Sequence, residues 1–237
     1  MINIVTSLNS SYQKFGKIFL NSLYKNLSLE NIKNVFILDV GLSEEDKEWL
    51  SEYDKLTIVD TNVDTEFDGI WGKGWELSVA SKTIGFRKLL LENNYPLVMV
   101  DSDCLFLKDF DDLLDSSYDL QICNRNYGTP YLASFFVAHN EKAVEFVEAW
   151  ITQINELKVM PKETTAMCMT IEKYKDKLNI GALDESLISS LAHHDDARII
   201  HMKSSALDDN FNTTFIRRIN GVKDLSANII LKYLEKD

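Results

Sequence analysis

Asp101 and Asp103 are separated by one residue and follow the apolar run Pro96-Leu-Val-Met-Val100. Two carboxylates at that spacing, at the end of a strand, can turn toward one hard cation whose oxygen coordination suits magnesium or manganese. The chain holds a second pair with the same spacing, Asp109 and Asp111, and the surroundings separate the two. Asp101 leaves one apolar run and Asp103 enters another, Cys104-Leu-Phe-Leu107, so at least one carboxylate is buried and costly unless paired or metal-bound. Asp109 and Asp111 read instead as a solvated helix start. On spacing and context alone, a structural turn explains Asp101 and Asp103 as well as a metal site does. His193-His-Asp-Asp196 also gathers ligand types, but consecutive side chains point in different directions, and a solvated helix end accounts for the cluster.

The elements that position Asp101 follow from periodicity. Ile2 to Ser7 reads as a buried strand, and Tyr12 to Leu27 places Phe15, Ile18, Phe19, Leu23 and Leu27 near one helical face. Val35-Phe-Ile-Leu38 and Leu56-Thr-Ile-Val59 read as strands, and Ser43-Glu-Glu-Asp46 as a capped, acidic helix start. A helix from about Glu76 to Leu91 precedes the strand that ends at Asp101. Strands alternating with helices predict an α/β fold with a mostly parallel sheet, and the carboxyl end of a central strand is where such sheets hold ligands. Further strands fall at 120–123 and 132–138, a helix at 141–157, another at 184–193, a short strand before His201, and a terminal helix at Val222 to Leu234. The polar stretch from 60 to 75 reads as a functional loop, with Trp71 and Trp75 either stacking on a ligand or anchoring the core.

Bulk properties narrow the class. The 237 residues are 45% hydrophobic and 11% aromatic, enough for one sizeable core, and no linker or repeat interrupts them, which predicts a single domain over 1–237. A formal net charge of -12 argues against nucleic acid and anionic lipid as partners. An acidic chain that binds an anionic ligand needs a cation to invert the local field. No leader-like or membrane-spanning run is visible and the three cysteines lack metal or disulfide spacing, so cytoplasm is the expected location.

In several ordered pieces the sequence resembles the GT-A glycosyltransferases, within them the glycogenin and bacterial galactosyltransferase group. Ile4-Val-Thr-Ser-Leu-Asn-Ser-Ser-Tyr12 is similar to the family's first nucleotide-binding strand and loop. Ala80-Ser-Lys-Thr-Ile84 is similar to its Lys-bearing helix, and Val98-Met-Val-Asp-Ser-Asp-Cys-Leu105 to its D-x-D strand. Asp184-Glu-Ser-Leu-Ile188 resembles its acidic element and Ile200-His-Met-Lys203 its distal His-x-Lys. The order is kept over most of the chain, with the nucleotide-binding part near 1–105 and the acceptor part near 106–237.

The resemblance implies a metal-dependent hexosyltransferase that uses a nucleotide-sugar, uridine diphosphate favoured, and an acceptor hydroxyl on a glycan or other molecule. By that carry-over, manganese or magnesium is held by Asp101, Asp103 and His201, while Ser102 and Lys203 contact the diphosphate. Thr6, Leu8 and Tyr12 line the base pocket, and Lys82 reaches phosphate or sugar. The residues alone leave other roles open: strand-end positions for Thr6 and Leu8, packing for Tyr12, a surface place for Lys82, and a hydrogen-bonded strand end for His201. An inverting reaction would need a general base, for which Asp184 or Glu185 serves, whereas the His-x-Lys element points to retention. Two departures stand out: Leu132-Ala-Ser-Phe-Phe136 in place of a small Asn-Ser-Gly step, expected to alter the acceptor pocket, and Ser204-Ser205 in place of glycine after the lysine. A haloacid-dehalogenase-type phosphatase and a non-catalytic nucleotide-sugar-binding protein are the alternatives; the former motif wants Thr where Leu105 stands.

Overall fold

The computed structural model describes residues 1–62, 73–125, 129–158, 162–184, 188–189, 196–202 and 233. In chain order the elements are β1 (Ile2–Leu8), α1 (Gln13–Asn26), β2 (Ile32–Asp39), α2 (Glu44–Leu50), β3 (Leu56–Asp60), α3 (Lys73–Leu91), β4 (Leu97–Val100) and β5 (Cys104–Phe106). They continue with β6 (Leu120–Asn124), β7 (Tyr131–Ala138), α4 (Ala143–Glu156), α5 (Lys162–Tyr174), β8 (Ile180–Leu183), β9 (Ile188–Ser189) and β10 (Ile199–His201).

Seven strands form one sheet in the order β3-β2-β1-β4-β7-β6-β8. Neighbours pair in parallel except at β7, which runs antiparallel to both β4 and β6. The mostly parallel, helix-flanked mixed sheet is the expected architecture. All its strands but β7 point one way, so their carboxyl ends share an edge with the amino end of β7.

Side chains alternate across the sheet with the two-residue period of a strand. Ile4, Leu8, Ile37, Val98 and Val100 pack on one face with Phe19, Leu20 and Leu23 of α1. Val5, Leu38, Leu97 and Met99 pack on the other with Phe86 and Leu90 of α3 and Phe146 and Trp150 of α4. The helix α3 lies close over β2 because Gly85 has no side chain: a Cβ there would stand 2.7 Å from a Leu38 methyl. The N-terminus of α2 is closed by a capping box between Ser43 and Asp46.

Three short strands make a second sheet in the order β5-β10-β9. The helix expected over 184–193 is corrected here: Ile188–Ser189 is a strand, parallel to β10, with Ile188 buried. An apolar pair of that kind serves either element, and the ladder beside it decides. The stretch between Met160 and Gly181, which periodicity left unassigned, supplies α5 and β8. In α5 Ala166, Met167, Thr170, Ile171 and Tyr174 are buried at helical spacing, and Thr170 satisfies its hydroxyl on the Ala166 carbonyl at 2.8 Å. The terminal helix expected from Val222 to Leu234 lies outside the described residues except for Tyr233, whose carbonyl accepts from Asn21 of α1 at 2.7 Å.

Candidate active site

The polypeptide turns sharply as it leaves β4, and three backbone hydrogen bonds fix that turn. The Asp101 N–H donates to the Ser134 carbonyl of β7 at 3.1 Å, and the Cys104 N–H donates back to the Asp101 carbonyl at 3.1 Å. The Met202 N–H donates to the Asp103 carbonyl at 2.8 Å, so the residue after β10 is held against the same turn. Because β10 lies antiparallel to β5 with His201 opposite Cys104, the imidazole arrives beside the two aspartates.

The His201 Nε2 stands 3.0 Å from Asp103 Oδ1 and 3.5 Å from Asp101 Oδ2. Asp103 is 7% exposed and His201 5%, so both are held away from bulk water, while the Asp101 side chain keeps 23%. Ligand atoms about 2.1 Å from one ion at right angles are about 3.0 Å apart, so these separations match edges of a coordination shell. Asp103 and His201 therefore fit a divalent cation, whereas Asp101 is not in the group whose ligand atoms are all close enough to share one. The Cys104 thiol joins Asp103 and His201 in a buried group whose ligand atoms all lie within 4.8 Å of one another. Sequence spacing had set this cysteine aside; its strand-end place opposite His201 is the signal that brings it in. The His201 Nδ1 is buried without a hydrogen-bond partner among the described residues.

Lys82 is not a surface lysine. It is 4% exposed, and its Nζ lies 2.5 Å from Asp101 Oδ1 and 2.6 Å from Glu163 Oε1. Burial alone pushes an ammonium toward neutrality, but the Asp101 and Glu163 carboxylates outweigh it and hold Lys82 above the ordinary lysine range. Glu163 is the site residue that sequence reasoning missed entirely. Nothing in a run of Lys-Glu-Thr-Thr marks it, since its partner is 81 positions earlier.

The strand β1 brings its loop to the same edge. The register pairs Val5 with Met99, so Ser7 comes level with Asp101. Thr6 is buried and its hydroxyl has no hydrogen-bond partner among the described residues. The Leu8 side chain belongs to the core, with Gly16 of α1 placed so close that a Cβ would meet a Leu8 methyl at 2.7 Å. That side chain is therefore not offered to a ligand, and the Leu8 carbonyl accepts from the Val40 N–H at 3.2 Å. Tyr12 is partly buried, packed on the core beside Phe15. Ser102 sits in the turn, half-buried. Asp184 is exposed at the carboxyl end of β8, three strands from β4, which at the usual strand spacing is roughly 14 Å to the side. That distance removes it from any cation at Asp101. Glu185, Lys203 to Ser205, Trp71, His193 and His194 lie outside the described residues, as does the side chain of Trp75.

The second carboxylate pair is structural, as its surroundings indicated. Asp109 accepts from the N–H groups of Ser28 at 3.1 Å, Phe110 at 2.8 Å and Asp111 at 3.2 Å. Burial works against its charge, and those N–H groups win, holding the carboxyl below its usual range. The bulky step Phe135-Phe136 does not reach an acceptor pocket. Phe135 packs edge-on to Phe110 and Phe136 edge-on to Phe86, one on each face of the sheet. The neighbour that faces the site is Ser134, whose Oγ is buried without a partner among the described residues.

Carboxylates at the carboxyl end of a central strand of a doubly faced α/β sheet stand where such sheets hold ligands. Residues 46–214 match the model of the nucleotide-diphospho-sugar transferases. The chain belongs to that family of glycosyltransferases. Among solved structures it is similar to the glycosyltransferase GlyE of Streptococcus pneumoniae TIGR4, with a TM-score of 0.65 and 14% identity over 100% of this chain. At that identity the likeness speaks for the fold, and the chain spans 60% of GlyE's length. No curated protein matches the sequence. Leu105, where the phosphatase motif wants a hydroxyl, is fully buried in β5. Among the described residues, no helix is long and apolar enough to cross a membrane.

Proposed function

We propose that this chain is a metal-dependent, cytoplasmic glycosyltransferase of a single catalytic domain. It moves a hexose from a nucleotide-diphosphate sugar, a uridine donor first, to an acceptor hydroxyl with retention. The observation that carries the reading is the approach of Asp103 and Asp101 oxygens to one nitrogen of His201 at 3.0 and 3.5 Å.

Asp101, Asp103 and His201 would hold manganese or magnesium, with the Cys104 thiol beside them. When bound, such an ion neutralises charge that develops on the leaving nucleoside diphosphate. The protein's own part is to orient the donor and keep water from its anomeric carbon. Thr6 meets the base from β1, and Tyr12 offers it a ring face. Ser102 lies at the turn toward the diphosphate. By the resemblance of the His201 to Lys203 segment, Lys203 would be a second positive contact to the diphosphate. Lys82 supplies a fixed buried charge on the opposite side of Asp101. Preorganised charges of this kind act on the departing oxygens at no reorganisation cost during reaction. In a retaining transfer the leaving phosphate takes the acceptor proton, and in an inverting one Asp184 or Glu185 would be the general base; uridine and retention both rest on the resemblance of the Thr6 to Tyr12 and His201 to Lys203 segments.

The test is nucleotide release from a panel of uridine and guanosine diphosphate sugars with manganese, followed by nuclear magnetic resonance of the product's anomeric proton. Release that depends on manganese, stops with a chelator and is lost in Asp103→Asn supports the reading. Release with no donor, or release indifferent to chelator and to Asp103→Asn, overturns it.

A further inference from the structure

Lys82 touches two carboxylates, although neutralising Asp101 requires only one ammonium and one partner. The second partner, Glu163, is 9% exposed and held with care. It lies in the first turn of the 13-residue helix α5, where the helix dipole favours a carboxylate. Its carbonyl accepts from the Trp150 indole of α4 at 2.9 Å. The adjacent Lys162 pairs with Glu76 at 3.1 Å, which ties this turn to α3, the helix that carries Lys82. Burying a third carboxylate beside an already acidic site is costly unless it serves something.

The distances show what it serves. The ammonium is nearly equidistant from its two carboxylates, at 2.5 and 2.6 Å, so it can pass from sharing to sole contact with Glu163 by a small movement. Resting on the proposed metal role of Asp101, we propose that Glu163 is a positioning residue that takes sole hold of the Lys82 ammonium when Asp101 turns to the cation. Lys82 then stays charged, dry and in place beside the departing diphosphate. Without Glu163 the ammonium has only Asp101 and competes with the cation for it.

The test reads manganese binding directly, by the paramagnetic resonance of free Mn2+ during titration with no donor present. Glu163→Gln weakens binding about tenfold, within the usual range of coupling between neighbouring sites. Glu163→Asp, which keeps the carboxylate one methylene shorter, falls between, and Lys82→Met tightens binding by removing the competitor. In a Lys82→Met background Glu163→Gln shifts the dissociation constant by no more than about twofold, the limit expected of uncoupled changes. An equal loss in both backgrounds means that Glu163 acts only through its field, and overturns the proposal. So does an unchanged dissociation constant in Glu163→Gln, and if that variant does not fold, an unchanged constant in Glu163→Asp. If the unaltered protein binds no manganese, the metal reading falls and this one with it. If it binds manganese and Glu163→Gln is indifferent, only this inference falls.

Discussion

Replacing Asp46 by alanine probes how the loop after β1 is held to α2. One carboxylate collects five hydrogen bonds: from Ser10 Oγ at 2.5 Å, Gln13 Nε2 at 2.8 Å, the Ser43 N–H at 3.1 Å, Ser43 Oγ at 2.7 Å and Trp49 Nε1 at 3.2 Å. It thereby ties the loop after β1, which ends at Tyr12, to the start of α2. The capping box is worth about 1 kcal/mol. Two further net contributions of about 1 kcal/mol each come from Gln13 and Trp49, while the serine hydroxyls turn to water. The total is about 3 kcal/mol, which for a chain of this size lowers the melting temperature by about 9 °C.

The pH dependence adds a sign. Burial raises the Asp46 pKa, but the bonds from Ser10, Ser43 and Trp49 outweigh it and the carboxyl sits below its ordinary value. A depressed carboxylate contributes stability that is complete above the unfolded value, about 4, and is lost as the pH falls through the folded one. Melting curves followed by circular dichroism should therefore show a constant gap between the unaltered protein and Asp46→Ala from pH 8 to pH 5, closing below about pH 4. Binding of a nucleoside diphosphate weakens in the same variant, and manganese affinity does not. A gap under about 3 °C, or one that widens as the pH falls, would refute the reasoning.

Three other outcomes follow from named contacts. On the proposed metal role, His201→Ala removes a nitrogen ligand, and transfer falls about a hundredfold or more at fixed manganese, with partial recovery at higher manganese in steady-state kinetics. Gly85→Ala gains up to about 1 kcal/mol of helix propensity but drives a Cβ into Leu38 methyls, for a net loss of about 1 kcal/mol in urea unfolding. A stabilised variant would contradict that close approach. Trp150→Phe loses the indole bond to Glu163 and leaves a gap in a fully buried position, which costs about 3 kcal/mol by the same measurement.

Much of the frame was legible because it is local. The alternation of β1, the stripe of α1 and the Ser43 cap each announce themselves within a turn or two of chain. The carboxylate pair was legible by position, since an apolar strand behind Asp101 and an apolar run after Asp103 force burial. What stayed hidden depends on separations that spacing does not encode. Glu163 meets Lys82 only because the first turn of α5 comes up to α3, where Lys162 also pairs with Glu76, and α5 itself was hidden by two consecutive threonines and by Thr170, whose hydroxyl bonds back within the helix. Cys104 becomes a neighbour of His201 only through the β5 and β10 ladder. The strand at Ile188–Ser189 went unseen for the same reason, because two apolar residues acquire an identity from what pairs with them.

That ladder also orders the birth of the site in time. Asp103 and His201 lie 98 residues apart, and three residue pairs between β5 and β10 bring them together. A growing polypeptide displays its two aspartates long before the imidazole has been synthesised. Until residue 201 is made and laid against Cys104, Asp103 has no imidazole beside it, so the pairing of these two buried groups forms only late in synthesis.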